Sequence, residues 1–317
     1  TNENEVYGGK RLFAVAPAID PQTGEISFTP ALNANGNATV YVWLFDDDGV
    51  DNGGLEASEV HELTITVTAV DDAPSFTLNG PVTVDEDSGT YSQTGFAKNI
   101  AYNGGSDEML QPLNFSFSGY DTSLFETQPA ISLSGGVLTF KPAKDAYGTA
   151  DITVTLSDGV NNVTKPFTLT IRPVNDRPAF ADNGSVTVAE DSGAYSAAWA
   201  KPETLSVGPA NETQTHAYAL KSIHVDSLAG NVNLFETLPA IDADTGALRF
   251  TPKANASGVA QLTAVLADNG GTDRGGADTS ETHTFTITVE AVNDLPTFTS
   301  GGNVTVGEDS GSYSRAW

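Results

Sequence analysis

Hydrophobic and polar residues alternate along this chain in short, sharply bounded runs. Val40, Val42 and Leu44 stand two apart, as do Ile152, Val154 and Leu156, and Leu262, Ala264 and Leu266. A strand turns successive side chains to opposite faces, so each triplet is an expected inward row. Downstream of each comes a second row: Leu63, Ile65 and Val67; Phe167, Leu169 and Ile171; Phe285, Ile287 and Val289. Upstream sits a hairpin in which Ile26 shares a face with Phe28, Leu138 with Phe140, and Leu248 with Phe250. Its turn in the first copy is Asp20-Pro21-Gln22-Thr23-Gly24-Glu25, with glycine where a positive φ is needed. Helical periodicity is almost absent. The pattern predicts antiparallel sheets with one buried face each.

These rows recur because the chain repeats. Val70-Asp71-Asp72-Ala73-Pro74, Val174-Asn175-Asp176-Arg177-Pro178 and Val292-Asn293-Asp294-Leu295-Pro296 are three copies of one junction. Twelve residues past each Pro begins Glu-Asp-Ser-Gly, at Glu86, Glu190 and Glu308. The copies advance by 104 and then 118 residues (86 to 190, 190 to 308). A period of domain size means tandem modules. About seven short strands in roughly 100 residues fit a Greek-key β-sandwich, so the expected class is all-β. Residues 1–72 read as the later part of one module, 73–176 and 177–294 as two complete modules, and 295–317 as the opening strand of another. The expectation is an excerpt of a longer chain. The extra length of the second complete module is expected in loops: six residues between Glu190 and Leu234, and eight between Asp268 and Val292.

Charge narrows the partners. There are 14 basic residues against 41 acidic ones, a formal net charge of −27, in 317 residues. That field repels nucleic acid and anionic membrane surfaces and attracts cations, divalent ones most of all. It also serves solubility alone. Cysteine is absent, so neither a disulfide framework nor thiol chemistry is available. No run approaches the ~18 apolar residues of a membrane span, and no basic-then-apolar leader opens the chain.

The wording of the repeats carries a resemblance. Ala18-Ile19-Asp20-Pro21-Gln22-Thr23-Gly24-Glu25-Ile26 resembles the middle of a cadherin repeat. Leu156-Ser157-Asp158-Gly159, followed by the run from Thr170 to Phe180, resembles a cadherin repeat's end. As a whole the chain is most similar to the cadherin-like and immunoglobulin-like tandem repeats of giant bacterial surface proteins, which include calcium-dependent adhesins exported by type I secretion. The resemblance implies an extended rod of β-sandwich modules, extracellular, with Ca2+ at module junctions and neighbouring repeats of the same chain as partners. It implies linker ligands at Asp71, Asp72, Asn175, Asp176, Asn293 and Asp294, and an acidic residue on each opening strand at Glu86, Glu190 and Glu308. The animal-type linker has an acid two places before its Asn and a second Asn after its Asp. Here Ala69, Pro173 and Ala291 fill the first place, and Ala73, Arg177 and Leu295 the second, which points to one ion per junction.

Calcium takes six to eight hard oxygen ligands, and each junction offers Asx residues and a Glu within twenty residues, on segments the fold is expected to bring together. The alternative is that the Asx residues only form turns before Pro and that Glu-Asp-Ser-Gly is a solvated strand end. Asp46-Asp47-Asp48-Gly49-Val50-Asp51 lacks the spacing of an EF-hand; with Asp158-Gly159 and Asp268-Asn269-Gly270-Gly271 it reads as an acidic hairpin turn. Catalysis finds little support: most acids recur module by module, whereas an active site is singular. Of the four histidines His61, His216, His224 and His283, the first and last hold equivalent strand positions. The reading is a non-catalytic spacer. Two other readings stay open: a glycan-binding module, with Trp43 as the exposed aromatic and Trp199 as a buried rim residue, or a filament subunit joined to other copies by strand exchange.

Overall fold

The computed structural model describes residues 6–7, 10–46, 55–105, 107–226 and 233–317. It divides into two units, Thr1–Pro173 and Val174–Trp317. No helix among the described residues is long and apolar enough to cross a membrane.

The first unit contains a complete β-sandwich. One sheet has the order Asn114–Ser118, Gly148–Ser157, Asn162–Arg172, Val82–Asp85. The other runs Phe125–Ile131, Leu138–Pro142, Tyr91–Gln93, and a short pair joins Ser75–Leu78 to Ala97–Ala101. All pairings are antiparallel except one: Val82 to Asp85 lie parallel to Leu169 to Arg172. That parallel pairing lays the module's second strand against its last, which a chain of hairpins cannot do and a Greek key can. Gly148–Ser157 buries Ala150, Ile152, Val154 and Leu156, every second residue, as the alternation predicts. Phe167, Leu169 and Ile171 extend the row, and Leu138, Phe140 and Phe125 face them from the second sheet in one cluster.

The second unit repeats this topology. Its sheets run His216–Asp226, Gly258–Asp268, His283–Glu290, Val186–Ala189, and Tyr195–Ala198, Ala247–Pro252, Phe235–Ile241. Leu248, Phe250, Leu262, Ala264, Leu266, Phe285, Ile287 and Val289 fill the core at the equivalent places. Trp199 is buried there, with its Nε1 donating to the Gly184 carbonyl at 3.0 Å. The expectation that extra length sits only in loops is corrected. His216–Asp226 has 11 residues where Asn114–Ser118 has 5, and it pairs with Gly258–Asp268 through a register shift between Leu220 and Ser222. An added segment that continues a ladder satisfies its own backbone groups, so lengthening a strand is as acceptable as lengthening a loop.

The ends of the chain depart from the repeat. In the first unit Phe13–Ile19 pairs with Ile26–Pro30, and Gly36–Val42 with His61–Val67. Of the rows predicted inward, Ile65 is buried, but Phe28 and Leu63 are exposed and Leu44 is 75 % exposed. Phe13–Ile19 and Ile26–Pro30 match Phe125–Ile131 and Leu138–Pro142, but no counterparts of Ser75–Leu78, Val82–Asp85, Tyr91–Gln93, Ala97–Ala101 and Asn114–Ser118 stand among the described residues, so the same alternation is only partly covered. Residues 295–317, expected as an opening strand, form no strand. In both complete modules that strand is held by the last strand of its own module, and no such partner stands among the described residues here. The local arrangement nevertheless persists: Trp317 Nε1 donates to the Gly302 carbonyl at 3.2 Å, matching Trp199 and Gly184.

Candidate functional site

Acidic groups gather at both ends of the complete sandwich in the first unit. At the end where its last hairpin turns, the linker residues Asp71 and Asp72 are half-buried. The Asp72 backbone N–H donates to Glu108 Oε1 at 3.3 Å. Glu108 opens the short 3-10 turn Glu108–Leu110 and is only 2 % exposed. Gln111 Nε2 donates to Asp71 Oδ1 at 2.5 Å, and Asn161 Nδ2 reaches both the carbonyl and Oδ2 of Asp71. Asn161 is presented by a turn that Asp158 builds, with Asp158 Oδ1 accepting from the Val160 and Asn161 N–H groups at 2.9 and 2.6 Å.

That turn bears out only half of the plain-turn reading. Asp158 is 3 % exposed, and its second oxygen, Oδ2, has no donor. Nor do Asp107 Oδ1, Glu108 Oε2 and Gln111 Oε1. Burial pushes the Glu108 carboxyl above the ordinary range, and the charges of Asp71, Asp107 and Asp72 push the same way against the Asp72 N–H. Buried carboxylate oxygens without donors are costly. The donor set, all oxygen and mostly anionic, fits a hard divalent cation of the calcium type.

The second unit builds the same arrangement from its own linker. The Asp176 N–H donates to Glu212 Oε1 at 3.1 Å, again 36 residues on. Asn175 Nδ2 donates to Asp268 Oδ1, Gly271 O and Ala277 O at 3.0, 3.1 and 3.0 Å, and its carbonyl accepts from the Ala277 N–H at 2.9 Å. The longer hairpin therefore closes around the linker. A Cβ at Gly270 would stand 1.9 Å from Asn175 Oδ1, so any larger residue there would have to displace the Asn175 amide. Asp268 Oδ2, Asn175 Oδ1 and Gln214 Oε1 have no donor.

The opposite end of each module holds the Glu-Asp-Ser-Gly motif. Glu86 and Glu190 are buried, not solvated. The Glu86 N–H donates to the Arg172 carbonyl and the Glu190 N–H to the Glu290 carbonyl, both at 3.0 Å. Glu190 Oε1 accepts from the Val292 N–H at 2.8 Å. In the first unit the carboxylates of Asp87 and Asp145 approach within 4.8 Å of one another. One expectation is corrected here: each Glu does not join the Asx pair just before it. The opening strand lies parallel to the last strand, so Glu190 is carried to the linker that follows its module, while Asp176 meets Glu212. Asn293, Asp294 and Glu308 are exposed.

Glu108, Asp107 and Glu212 are absent from the sequence-derived ligand set. The signal for the two Glu is their recurrence 36 residues after a linker Asp, at 72 to 108 and 176 to 212; Asp107 has Asn211 at the equivalent place and no such signal. In the acidic stretch 46–51 only Asp46 is among the described residues, and its N–H donates to the Glu56 carbonyl at 3.1 Å. The side chain of His224 also lies outside them. His283 stacks on Phe180 at 4.1 Å between ring centroids, with Nδ1 2.5 Å from Asp182 Oδ2.

No protein-family model matches the chain, and no curated protein matches it. Among solved structures it is similar to human protocadherin-24 EC1-2 (19 % identity, TM-score 0.39, covering 71 % of this chain and 100 % of that one). It is similar to Drosophila N-cadherin EC1-4 (14 % identity, TM-score 0.36, 87 % of this chain and 63 % of that one). An endo-fucoidan hydrolase from glycoside hydrolase family 107 is similar at 14 % identity and TM-score 0.26, over 88 % of this chain and 37 % of that one. At such scores the fold assignment rests on the strand pairing itself.

Proposed function

We propose that this chain is a non-catalytic structural spacer of an extracellular bacterial adhesin or surface fibre, and that calcium at its module junctions stiffens it. The observation that carries the reading is the recurrence, in two separate units, of a linker Asp amide on a buried or half-buried Glu beside carboxylate oxygens without donors. Asp71, Asp72, Asp107, Glu108 and Asp158 would hold the ion at one junction, and Asn175, Asp176, Glu212 and Asp268 would contribute at the next. Glu190 supports the same reading within one unit: its Oε1 accepts from the Val292 N–H, next in sequence to Asn293 and Asp294. The ion supplies positive charge and fixed geometry, while the chain supplies the oxygens and the hydrogen bonds that position them.

Amide, carboxylate and carbonyl oxygens on loops suit calcium better than magnesium, which demands a stricter octahedron. Extracellular modules bind calcium at about 10⁻⁴–10⁻³ M. At ten times the dissociation constant, binding adds about 1.4 kcal/mol, enough to hold a linker and small against a domain core. Calorimetry should detect calcium uptake that magnesium does not reproduce. Small-angle scattering should give a narrower distribution of particle dimensions with calcium than with chelator. Identical scattering and melting in the two conditions would leave the junctions as plain turns.

A further inference from the structure

The outer face of the strand Gly36–Val42 and its continuation carries Tyr41, Trp43 and Phe45 at every second position, 44, 38 and 68 % exposed. The fold does not require them. The same register positions hold Thr153, Thr155 and Ser157 in the first complete module, and Thr263, Val265 and Ala267 in the second. The bridge of Phe45 to Ala57, matched by that of Ala267 to Thr279, fixes the correspondence. These positions face away from the sandwich core, because Val40 and Val42 take the inward side; of their counterparts Val265 is buried beside Ala219 of the neighbouring strand and the others are half-buried.

The stripe is aromatic with an acidic border. Glu62 stands directly opposite Tyr41 in the ladder and is exposed, and Asp46 and Glu56 follow at the Phe45 end. A chain at −27 repels nucleic acid, sulfated polysaccharide and anionic lipid. The electron-rich faces of aromatic rings accept the C–H faces of a sugar, and carboxylates accept from its hydroxyls. Alternate residues on a strand stand about 6.7 Å apart, and the Trp43 and Phe45 ring centroids stand 6.0 Å apart with their planes at 70°. We infer that Tyr41, Trp43 and Phe45 form a binding platform for a neutral, hydroxyl-rich polysaccharide. This site is independent of the calcium junctions.

Affinity electrophoresis of the full chain through gels containing a galactomannan, a xyloglucan or hydroxyethylcellulose tests it, with dextran sulfate as the anionic control. At least one neutral polymer should retard the protein and dextran sulfate should not. The triple variant Tyr41→Thr, Trp43→Thr, Phe45→Ser restores residue types that the sister module carries, so it should fold. It should lose affinity by about tenfold or more, as the removal of anchoring aromatics does. Trp43→Phe, which keeps a ring, should retain most of the binding. The inference is overturned if no neutral polymer retards the chain, or if the triple variant is retarded as strongly. It is equally overturned if size-exclusion chromatography shows a self-associated species that the triple variant abolishes, since the stripe would then be an interface between copies.

Discussion

The backbone N–H of Asp72 donates to the carboxylate of Glu108 at 3.3 Å, a bond that ties a linker to a buried acid 36 residues downstream. The acid is held above its ordinary titration range by burial and by three neighbouring carboxylates, so its charge works against the fold when no cation is present. Glu108→Gln keeps the acceptor for Asp72 and removes the charge. Its melting temperature in chelator should equal or exceed that of the parent, while the increment on adding calcium should shrink. Differential scanning calorimetry in both conditions checks this, and an unchanged calcium increment would remove Glu108 from the ligand set.

Phe140 is fully buried between Tyr91 and Phe125, with ring centroids 4.8 and 5.8 Å away. Phe140→Ala should cost roughly 3–5 kcal/mol by chemical denaturation, the range for truncating a buried aromatic.

Two glycines of one module separate conformational strain from crowding. Gly89 has φ +78° and open space where a methyl group would stand, whereas Gly136 has φ +55° and its Cβ would stand 1.9 Å from the Ala97 carbonyl oxygen. Gly89→Ala should cost about 1–2 kcal/mol, the left-handed penalty alone. Gly136→Ala should cost a further ~1–3 kcal/mol, because a packed backbone must move. Equal losses from the two would mean that the hairpin relaxes freely.

Asp242 turns the Asp242–Gly246 hairpin by accepting from the Thr245 hydroxyl and N–H at 2.8 and 2.9 Å. These bonds, led by the hydroxyl, hold its carboxyl below the ordinary value of 3.8, and Arg249 adds to the effect. A depressed folded pKa contributes stability above the unfolded value and loses it as pH falls through the folded value. Asp242→Asn should therefore be less stable than the parent at neutral pH, and the gap should close as pH drops below 3.8. Denaturation midpoints across that window measure it; a gap that persists in acid would assign the loss to geometry instead of charge.

The amino-acid sequence determines the strands and the core rows of the complete modules. Ile152, Val154 and Leu156, and likewise Leu262, Ala264 and Leu266, are buried as their alternation predicts, because a period of two is a property of the strand's own backbone. It determines the repeat as well, since the junction recurs with its Glu always twelve residues past the Pro although the modules differ in length. Tertiary structure alone decides the rest. Leu44 has the same phase as Leu156 yet is exposed, because Leu156 is covered with the help of strands such as Asn114–Ser118 that have no counterpart beside Leu44 among the described residues, and alternation does not encode them. Glu190 lies fourteen residues after Asp176 in sequence, but its carboxylate caps Val292, because a parallel strand carries it along the module to the far end. Glu108 and Glu212 reach their linkers only through the folded loops that present them. Local periodicity acts over a few residues, whereas a ligand set is assembled from segments up to a hundred residues apart, and only the path of the chain through space brings those together.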